Sequence, residues 1–262
     1  MARDGFIIAP GEIVRGERLD DVDWTDADAT EAVFEDCEIR GANFGATVLE
    51  GARFIRCRLL RCRLARAEAR VAVFEDCLFA DPSDHTGVAV AFSRLEMARF
   101  SRCDLSFAHF DRCEMHAIRL EDCNLRGARF QRVDFTRSQG RRRSPVAATL
   151  TRCNFHLADL AEAVLPGCDL AGSRFREADL SRADFEGADL RDCDLFGADT
   201  VGAKLAGADL RGAEVSGLDL FALASRAGVK VSLDQQYPLL TALGIDVHVD
   251  AGEGGDRRRN GQ

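Results

Sequence analysis

The chain places Leu or Phe at every fifth residue over long stretches. One uninterrupted series is Leu150, Phe155, Leu160, Leu165, Leu170, Phe175, Leu180, Phe185, Leu190 and Leu195. We call each of these Leu or Phe residues a mark. The residue two places before each mark is small, and the residue directly before the mark is often Asp or Asn, so the unit reads A(D/N)(L/F)xx. A period of five fits neither the 3.6 residues of a helical turn nor the two-residue repeat of a strand. The pattern therefore predicts a five-residue unit that turns the chain through a fixed angle.

The segment FREADLSRADFEGADLRDCDLFGAD resembles the pentapeptide-repeat family. The resemblance implies an all-β fold, a right-handed quadrilateral β-helix with four pentapeptides per coil. The large residue and the small one would point inward and stack on their counterparts one coil away, about 4.8 Å distant as in any sheet. Counting the repeats predicts a solenoid of about nine coils.

A first break in the repeat falls at residues 80–89, ADPSDHTGVA. The marks from Phe34 to Phe79 and those from Val90 to Phe135 have the same period but differ by one residue in phase. A shift of one residue inside a continuous solenoid would turn the core outward. Residues 80–89 are therefore predicted to leave the wall as a loop.

A second break falls at residues 137–147. Phe135 and Leu150 are three pentapeptide steps apart, yet Gly140 and Pro145 stand where core residues would be. The wall cannot continue through those positions. We expect a turn-prone basic loop that is pushed out of the rod and mounted on a rigid support.

The net charge of −9 hides an uneven distribution. Residues 1–50 carry 4 Arg against 13 acidic residues, residues 51–150 carry 19 Arg against 12, and residues 151–200 carry 5 Arg against 11. The chain is thus acidic, basic and then acidic along its length. With 262 residues, 46% of them apolar, and no apolar run of about 18 residues, we expect a cytoplasmic globular protein that does not enter a membrane.

All ten cysteines stand in the small slot two residues before a mark. They are Cys37, Cys57, Cys62, Cys77, Cys103, Cys113, Cys123, Cys153, Cys168 and Cys193. Free cysteine often serves as a small buried hydrophobe, no CxxC pair is present, and the five His are scattered. We expect packed free thiols, with no metal and no cofactor.

The sequence offers no catalytic arrangement, because it has no glycine-rich phosphate loop and no His and carboxylate cluster. We expect no enzyme activity and no small-molecule substrate. Asp recurs just before the marks, and two interpretations stay open: a short carboxylate that accepts backbone N–H groups in a turn, or an acidic surface. The acidic set is Asp159, Asp169, Asp179, Asp184, Asp189, Asp194 and Asp199.

A solenoid needs a cap at each end, where strand edges and core would otherwise meet water. We predict an N-terminal cap over 1–20, the β-helix over 21–222, a helix and short strand over 223–250, and a disordered tail over 251–262. The helix would begin at Asp234 and end at Gly244, and IDVHV would form the strand. It either seals its own last coil or joins a second copy through Tyr237, Leu239, Leu240, Leu243, Ile245 and Val247.

The two loops and the terminal LDQQYPLLTALGIDV resemble the Qnr family of quinolone-resistance proteins. The strings CLFADPSDHTGVAVAF and ARFQRVDFTRSQGRRRSPVAATLTRCNF match the settings of that family's two loops. The resemblance implies a dimeric rod that imitates duplex DNA, binds DNA gyrase or topoisomerase IV and protects it from quinolones. It also implies that the loops contact the topoisomerase, here through Asp81, Asp84, His85, Arg137, Gln139, Arg141, Arg142, Arg143 and Ser144.

Two features depart from that family. The second loop carries three consecutive Arg without an aromatic residue, and the middle of the chain is net basic, whereas a DNA mimic should be acidic. Other functions therefore stay open: a non-catalytic interaction scaffold with an unrelated protein partner, or a protein that binds nucleic acid through its Arg-rich middle. The scattered Arg and the net negative charge argue against direct nucleic-acid binding.

Overall fold

The chain winds into a parallel β-solenoid. A computed structural model describes residues 8–20, 22–136 and 147–248. Residues that pair between neighbouring coils are mostly 20 positions apart, as for Val33 with Arg53, so each coil contains four pentapeptides. Each pentapeptide of a coil forms one wall of the rod. We number the four walls 1 to 4 in the order in which the chain passes through them. The predicted β-helix is confirmed.

Two walls carry most of the strands. Wall 1 is a seven-stranded sheet of β1 (Ile13–Arg15), β2 (Val33–Glu35), β5 (Arg53–Ile55), β8 (Val73–Glu75), β10 (Arg99–Ser101), β12 (Arg119–Glu121) and β14 (Thr149–Thr151). Wall 3 is a five-stranded sheet of β4 (Asn43–Gly45), β7 (Arg63–Ala65), β9 (Ala89–Ala91), β11 (His109–Asp111) and β13 (Arg129–Gln131). Wall 2 has β3 (Glu38–Arg40) and β6 (Arg58–Leu60).

Single-residue bridges complete the rod. On wall 4 they follow one another from Asp28 to Ser225, and on wall 1 they continue beyond β14 to Lys230. The strands account for about six turns of the solenoid. Single-residue bridges continue the same pairing between coils before and after the second loop. The coils expected from the repeat therefore include several that are held by bridges alone.

The marks fill the core. On wall 1 the rings of Phe34, Phe54, Phe74 and Phe100 stack coil upon coil, with centroids 4.7, 5.1 and 4.5 Å apart. All four residues are at most 4% exposed. Stacking of this kind adds to the burial of apolar area, so each mark supports its neighbours above and below.

Insertions appear as an increase in the number of residues between two positions that pair in neighbouring coils. Val73 pairs with Arg99 across loop 1, and Arg119 pairs with Thr149 across loop 2. Compared with the regular 20 residues, loop 1 adds six and loop 2 adds ten. Both predicted loops are confirmed as interruptions of the wall. A third insertion of one residue, seen where Asp209 pairs with Lys230, was not predicted.

The solenoid is longer at both ends than the sequence predicted. Its first strand begins at Ile13, inside the expected N-terminal cap, and its last bridge reaches Lys230. A 3-10 helix, Leu233–Gln235, and α1, Gln236–Ala242, follow. The first cap is Ser232, whose N–H donates to the Gln235 side chain, rather than Asp234.

The predicted end of the helix is confirmed, since Gly244 has the left-handed φ of 73° that favours glycine. The short strand predicted at IDVHV is wrong for residues 245–248, which form no strand. No partner edge reaches this segment among the described residues. The predicted tail, 251–262, lies outside the described residues.

Candidate partner-binding surfaces

Loop 1, residues 80–88, leaves the corner between walls 2 and 3 and is held by one carboxylate. Asp81 accepts hydrogen bonds from the N–H and hydroxyl of Ser83, and pairs with Arg40 at 2.7 Å and Arg61 at 2.8 Å. The Ser83 bonds, followed by the two guanidinium groups, hold the pKa of Asp81 well below its usual range. Asp81 is 1% exposed. This member of the predicted contact set therefore anchors loop 1.

The outer side of loop 1 presents two other predicted contact residues. Asp84 is exposed and its carboxylate lies 2.6 Å from Nη2 of Arg61. His85 is exposed, has a left-handed φ of 59°, and places its ring 5.6 Å from the ring of Phe107. Loop 1 thus offers one carboxylate and one imidazole on a base that is fixed to the rod.

Gly87 sets how closely loop 1 packs on the rod. A Cβ at this position would lie 2.3 Å from the backbone carbonyl of Phe107. Real side chains do not approach backbone atoms so closely, so only glycine permits this contact. Phe107, 39% exposed, was not singled out from the sequence, because its position in the pentapeptide is ordinarily a solvent-exposed corner.

Loop 2 begins at the corner between walls 4 and 1, diagonally across the rod from loop 1. The wall ends at Phe135 and resumes at Ala148, and both residues are buried. Residues 137–146, which include the predicted contacts Arg137, Gln139, Arg141, Arg142, Arg143 and Ser144, lie outside the described residues. Their contact with a partner stays a prediction.

The seven predicted acidic residues all act in turns. In each, Oδ1 accepts a hydrogen bond from the backbone N–H two residues ahead. The donors are Ala161, Ala171, Ser181, Glu186, Arg191, Phe196 and Val201. The turn interpretation is confirmed for every member of the set, and Oδ2 is left to carry charge at the surface.

The same seven residues do not form one acidic face. Asp159, Asp179 and Asp199 stack on wall 3, whereas Asp169 and Asp189 stack on wall 1. Asp184 belongs to wall 4 and Asp194 to wall 2. Residues five positions apart lie on successive walls, and only those 20 apart share one. The single acidic face is corrected to two columns on opposite walls with one further carboxylate on each remaining wall.

Three of the four Asp on walls 1, 2 and 4 have cationic neighbours. Asp189 pairs with Arg191 at 2.5 Å and Asp194 with Arg176 at 3.1 Å. Asp184 lies 3.5 Å from Lys204. Among the described residues, no ion pair involves the three Asp of the wall 3 column. That column is the least neutralised acidic surface of the described rod.

Arginines of the basic middle are partly neutralised by a charge ladder. At the corner after wall 1, Arg56 pairs with Asp36, Arg102 with Asp76, and Arg152 with Asp122, each through two hydrogen bonds of 2.7 to 2.9 Å. The excess of Arg in the sequence therefore overstates the positive potential of this surface.

The C-terminal end of the rod is sealed by Gln235 and Leu239. The Gln235 Nε2 atom donates to the carbonyl oxygens of Leu210 and Ala213, both at 2.7 Å, and closes backbone groups of the last coils. Leu239 is buried in the core. Gln235 was missed in the sequence, although its spacing of three from Ser232 is that of a capping box.

Exposed apolar side chains surround this seal. Of the predicted dimerisation residues, Tyr237, Ile245 and Val247 are exposed, Leu240 and Leu243 are half-buried, and Leu239 belongs to the protein's own core. Phe221, 72% exposed, and Leu233, 82% exposed, lie in the same terminal region and were not predicted. A Phe one place after a mark is the signal that would have identified Phe221.

The repeat is also recognised by comparison. The family model for pentapeptide repeats matches eight copies over residues 98–138, 153–192 and 188–221. Over those residues the chain is similar to the pentapeptide-repeat family. A search of curated protein sequences finds no match.

The fold of the chain resembles that of QnrB1, a plasmid-mediated fluoroquinolone resistance protein. Full-length QnrB1 is 25% identical, with a TM-score of 0.65, over 89% of this chain and 97% of QnrB1. A trypsin-treated variant of QnrB1 gives 25% identity and a TM-score of 0.65 over 90% of this chain and 97% of the other. The resemblance to the Qnr proteins inferred from the sequence is confirmed.

The ten cysteines are packed as predicted, since all of them are free and buried. Six of them, Cys37, Cys57, Cys77, Cys103, Cys123 and Cys153, stack in consecutive coils, and each donates to a carbonyl of the coil below. Burial raises the pKa of Cys113 and Cys168 to about 11. These two thiols therefore stay protonated near neutral pH and are poor nucleophiles.

The described ranges were also searched for metal and membrane features. No group of three or more His, Cys, Asp or Glu side chains there is placed to hold a metal ion. Within the same ranges, no helix is both long and apolar enough to cross a membrane.

Proposed function

We propose that this protein binds a type II topoisomerase, DNA gyrase or topoisomerase IV, and protects it from quinolones or a related poison. The observation that carries the proposal is the similarity to QnrB1 over nine-tenths of the chain. QnrB1 is described as a fluoroquinolone resistance protein, and the similarity extends over most of the rod described above. Protection then requires no catalysis, because the rod competes with DNA for the enzyme.

The Asp column of wall 3 supplies the charge for DNA mimicry. Walls 1 and 3 lie opposite each other, and each offers one carboxylate per coil, about every 4.8 Å. Asp189 and Asp209 of wall 1 are paired with Arg191 and Arg211, so among the described residues the unpaired column of wall 3 alone gives one negative charge about every 4.8 Å of rod, against one per about 1.7 Å of duplex DNA. The rod is thus a diluted copy of the duplex charge pattern.

A supercoiling and cleavage assay tests this proposal. With gyrase and ciprofloxacin, the protein should restore supercoiling and reduce cleaved DNA. The triple variant Asp159→Asn, Asp179→Asn and Asp199→Asn should lose this protection, because Asn keeps the turn hydrogen bond and removes the charge.

A matched control removes three charges of the same chemistry from the lower part of the rod. Asp23, Asp28 and Asp104 also accept the N–H two residues ahead, and their triple replacement by Asn should leave protection unchanged. Absence of rescue, together with no binding to either gyrase subunit at micromolar concentration, would reject the topoisomerase function and favour a scaffold with another partner.

The loops can be removed without disturbing the repeat. Deleting residues 138–147 restores the 20-residue spacing between Arg119 and Thr149, which pair across loop 2. Deleting residues 82–87 restores the spacing at loop 1 in the same way. Both shortened proteins should fold, and the loop 2 deletion should reduce protection more. Equal protection by parent and loop 2 deletion would exclude loop 2 as a contact.

We also propose a dimer through the C-terminal end. Phe221, Leu233 and Tyr237 would be covered by a second copy, since exposed apolar clusters of this kind commonly mark interfaces. Leu233→Asp should yield monomers in sedimentation velocity without loss of the β-sheet circular dichroism signal. Unchanged sedimentation would exclude this end as the interface.

A further inference from the structure

Wall 3 reverses its charge halfway along the rod. Its outward column carries Arg63, Ala89, His109 and Arg129 on β7, β9, β11 and β13, and then Asp159, Asp179 and Asp199 in successive coils. The backbones of Arg129 and Asp159 form a β-bridge between neighbouring coils at the point where the charge reverses. One narrow face therefore has a basic lower half and an acidic upper half.

These charges are available to a partner. Within the ranges the structure describes, Arg63, Arg129 and the three Asp of the column form no ion pair. Wall 1 has a similar reversal, but there Asp189 and Asp209 are held by Arg191 and Arg211 at 2.5 and 2.6 Å. The hydrogen bond from Arg211 lowers the pKa of Asp209 to about 2. Wall 3 is therefore the better candidate for an electrostatic contact.

The shape of wall 3 also differs between its two halves. The lower half has a shallow recess, lined among others by Asn43, Gly45, Ala65, Ala89, Ala91 and Phe92. The upper half carries Val201, 59% exposed. Small residues in the lower half and the exposed Val201 in the upper half give the wall a recess and a matching projection.

We propose that wall 3 binds wall 3 of a second copy of this chain, with the two rods antiparallel. The two-fold axis runs along the strands between the coils of Arg129 and Asp159. Arg129 then faces Asp159 of the partner subunit, and His109 faces Asp179 of the partner subunit. In the adjacent column, Ala91 faces Val201 of the partner subunit.

A reversed copy fits this wall better than a polyanion does. Nucleic acid drawn to Arg63 and Arg129 would be repelled by the Asp column only one coil further on. A matching partner must change sign at the same point and repeat about every 4.8 Å, as the reversed wall does. Like charges would oppose each other in a parallel arrangement, which is unfavourable.

The described residues leave this wall accessible. The rod is interrupted by loop 2 between Phe135 of wall 4 and Ala148 of wall 1, and loop 1 residues do not line the recess. The described paired length of wall 3, from Asn43 to Asp199, is about 34 Å at about 4.8 Å per coil, and the wall is one pentapeptide wide. We expect a transient interface below about 1,200 Å² that weakens as salt shortens the Debye length.

This contact would cover the Asp column assigned above to topoisomerase binding. Self-association and topoisomerase binding would then exclude each other at wall 3. That consequence rests on the proposed function, whereas the association itself does not. At high protein concentration the rods would associate through wall 3 and could not bind topoisomerase there, and dilution would separate them again.

Site-directed cross-linking tests the arrangement. Ala91→Cys and Val201→Cys are prepared as separate proteins, each with Leu233→Asp to remove the C-terminal contact proposed above. They are mixed and treated with a short bismaleimide, which joins two thiols without a redox step. Their positions are five coils, or about 24 Å, apart in one chain, so a joined heterodimer reports contact between copies. The native thiols are buried, and the parent protein treated in the same way sets the background.

The expected result is a heterodimer that exceeds either homodimer. Homodimers of Ala91→Cys alone would indicate parallel rods, and homodimers of Val201→Cys alone would indicate contact through the C-terminal end; either result overturns the proposal, as does no cross-link. A matched pair on wall 1, Glu75→Cys with Arg191→Cys, also five coils apart, should give only background.

A charge exchange provides a second test by sedimentation equilibrium. Arg129→Asp should weaken the association about tenfold or more, because two symmetry-related ion pairs are lost. Adding Asp159→Arg restores opposite charges across the axis and should recover most of the affinity. Equal weakening in the single and double variants would reject the register. Loss of topoisomerase protection with intact cross-linking would reject only the proposed function.

Discussion

The lower half of the rod, residues 13–135, and the upper half, residues 148–230, use the same five-residue unit but pair their coils differently. All strands except β14 lie in the lower half, where three consecutive residues pair with the next coil. Beyond β14, the described coils pair through single residues that are followed by a turn. The same core period thus supports two kinds of wall.

The residue just before the mark accounts for much of this difference. None of the described strands begins with Asp, and the strands of walls 1 and 3 begin with residues such as Val33, Arg99 and His109. An Asp in that position accepts the N–H two residues ahead and turns the chain at once. Without such an acceptor the chain can stay extended through the following residue. On wall 4, Val48 and Arg94 also pair as single residues, so the residue before the mark explains the difference on walls 1 and 3 but not on every wall.

The same carboxylate has a second consequence. In the upper half, Oδ1 shapes the turn and Oδ2 remains at the surface, so the turn chemistry itself creates an acidic rod. In the lower half, Arg occupies many of these positions, and some of the charge is balanced by corner pairs such as Arg102 with Asp76. The charge reversal of the molecule follows from the change in turn chemistry.

The largest expected effect concerns the core that both halves share. Phe74→Ala removes a ring that stacks between Phe54 and Phe100 and should lower the free energy of unfolding by about 3 to 5 kcal/mol. Leu190→Ala in the upper half should cost about 2 to 5 kcal/mol. Urea unfolding measures both. A loss below about 1 kcal/mol at Phe74 would show that the ring column is not a continuous core.

The next effect separates turn shape from charge in the upper half. Asp179→Ala removes the acceptor for the Ser181 N–H and should cost about 0.5 to 1.5 kcal/mol, whereas Asp179→Asn should cost less. In the lower half, Arg129→Ala should stay within about 0.5 kcal/mol. Thermal unfolding of the three variants gives the comparison. Equal losses for Asn and Ala would show that charge, not the turn bond, stabilises the coil.

A smaller effect concerns the corners, which have left-handed φ in both halves. Gly167 has a φ of 66° with open space around it, and Ala46 has a φ of 53°. Gly167→Ala should destabilise by about 1 kcal/mol, and Ala46→Gly should stabilise by up to about 1 kcal/mol. Chemical unfolding measures both free energies. A destabilised Ala46→Gly protein would mean that the entropy glycine adds to the unfolded chain outweighs the relief of backbone strain.

The smallest effect is the acid sensitivity of the lower corner ladder. Hydrogen bonds from Arg56, Arg102 and Arg152 lower the pKa of Asp36, Asp76 and Asp122 below the usual value of 3.8. Because the folded-state pKa lies below the unfolded one, this stabilisation is present above about pH 3.9 and is lost as the pH falls below it.

The measurement is the melting temperature of the parent and of a variant with the three Arg replaced by Gln, between about pH 6 and pH 3. The parent should lose its small advantage over the variant as the pH approaches the lower limit, since exposed pairs contribute little. Parallel curves over the whole range would show that the ladder adds nothing to stability.

The sequence predicted the repeat, the inward position of the marks, both interruptions and the packing of all ten cysteines, because a five-residue period constrains every position in the unit. It was less accurate at the ends. Ile13 and Lys230 lie in coils whose marks deviate from Leu or Phe, so the period alone ended the solenoid too early at both sides. Ser232 replaced Asp234 as the cap, since either residue type is common at a helix start.

The sequence by itself determined that this chain forms a rod of stacked coils, since each pentapeptide contains its own core residue, small residue and turn. Only the tertiary structure decided which outward residues share a wall, because that depends on the spacing of 20 and on the six, ten and one residues that the insertions add. It thereby divided the seven Asp among four walls, buried Asp81 between Arg40 and Arg61, and placed Arg129 and Asp159 side by side at the reversal of charge.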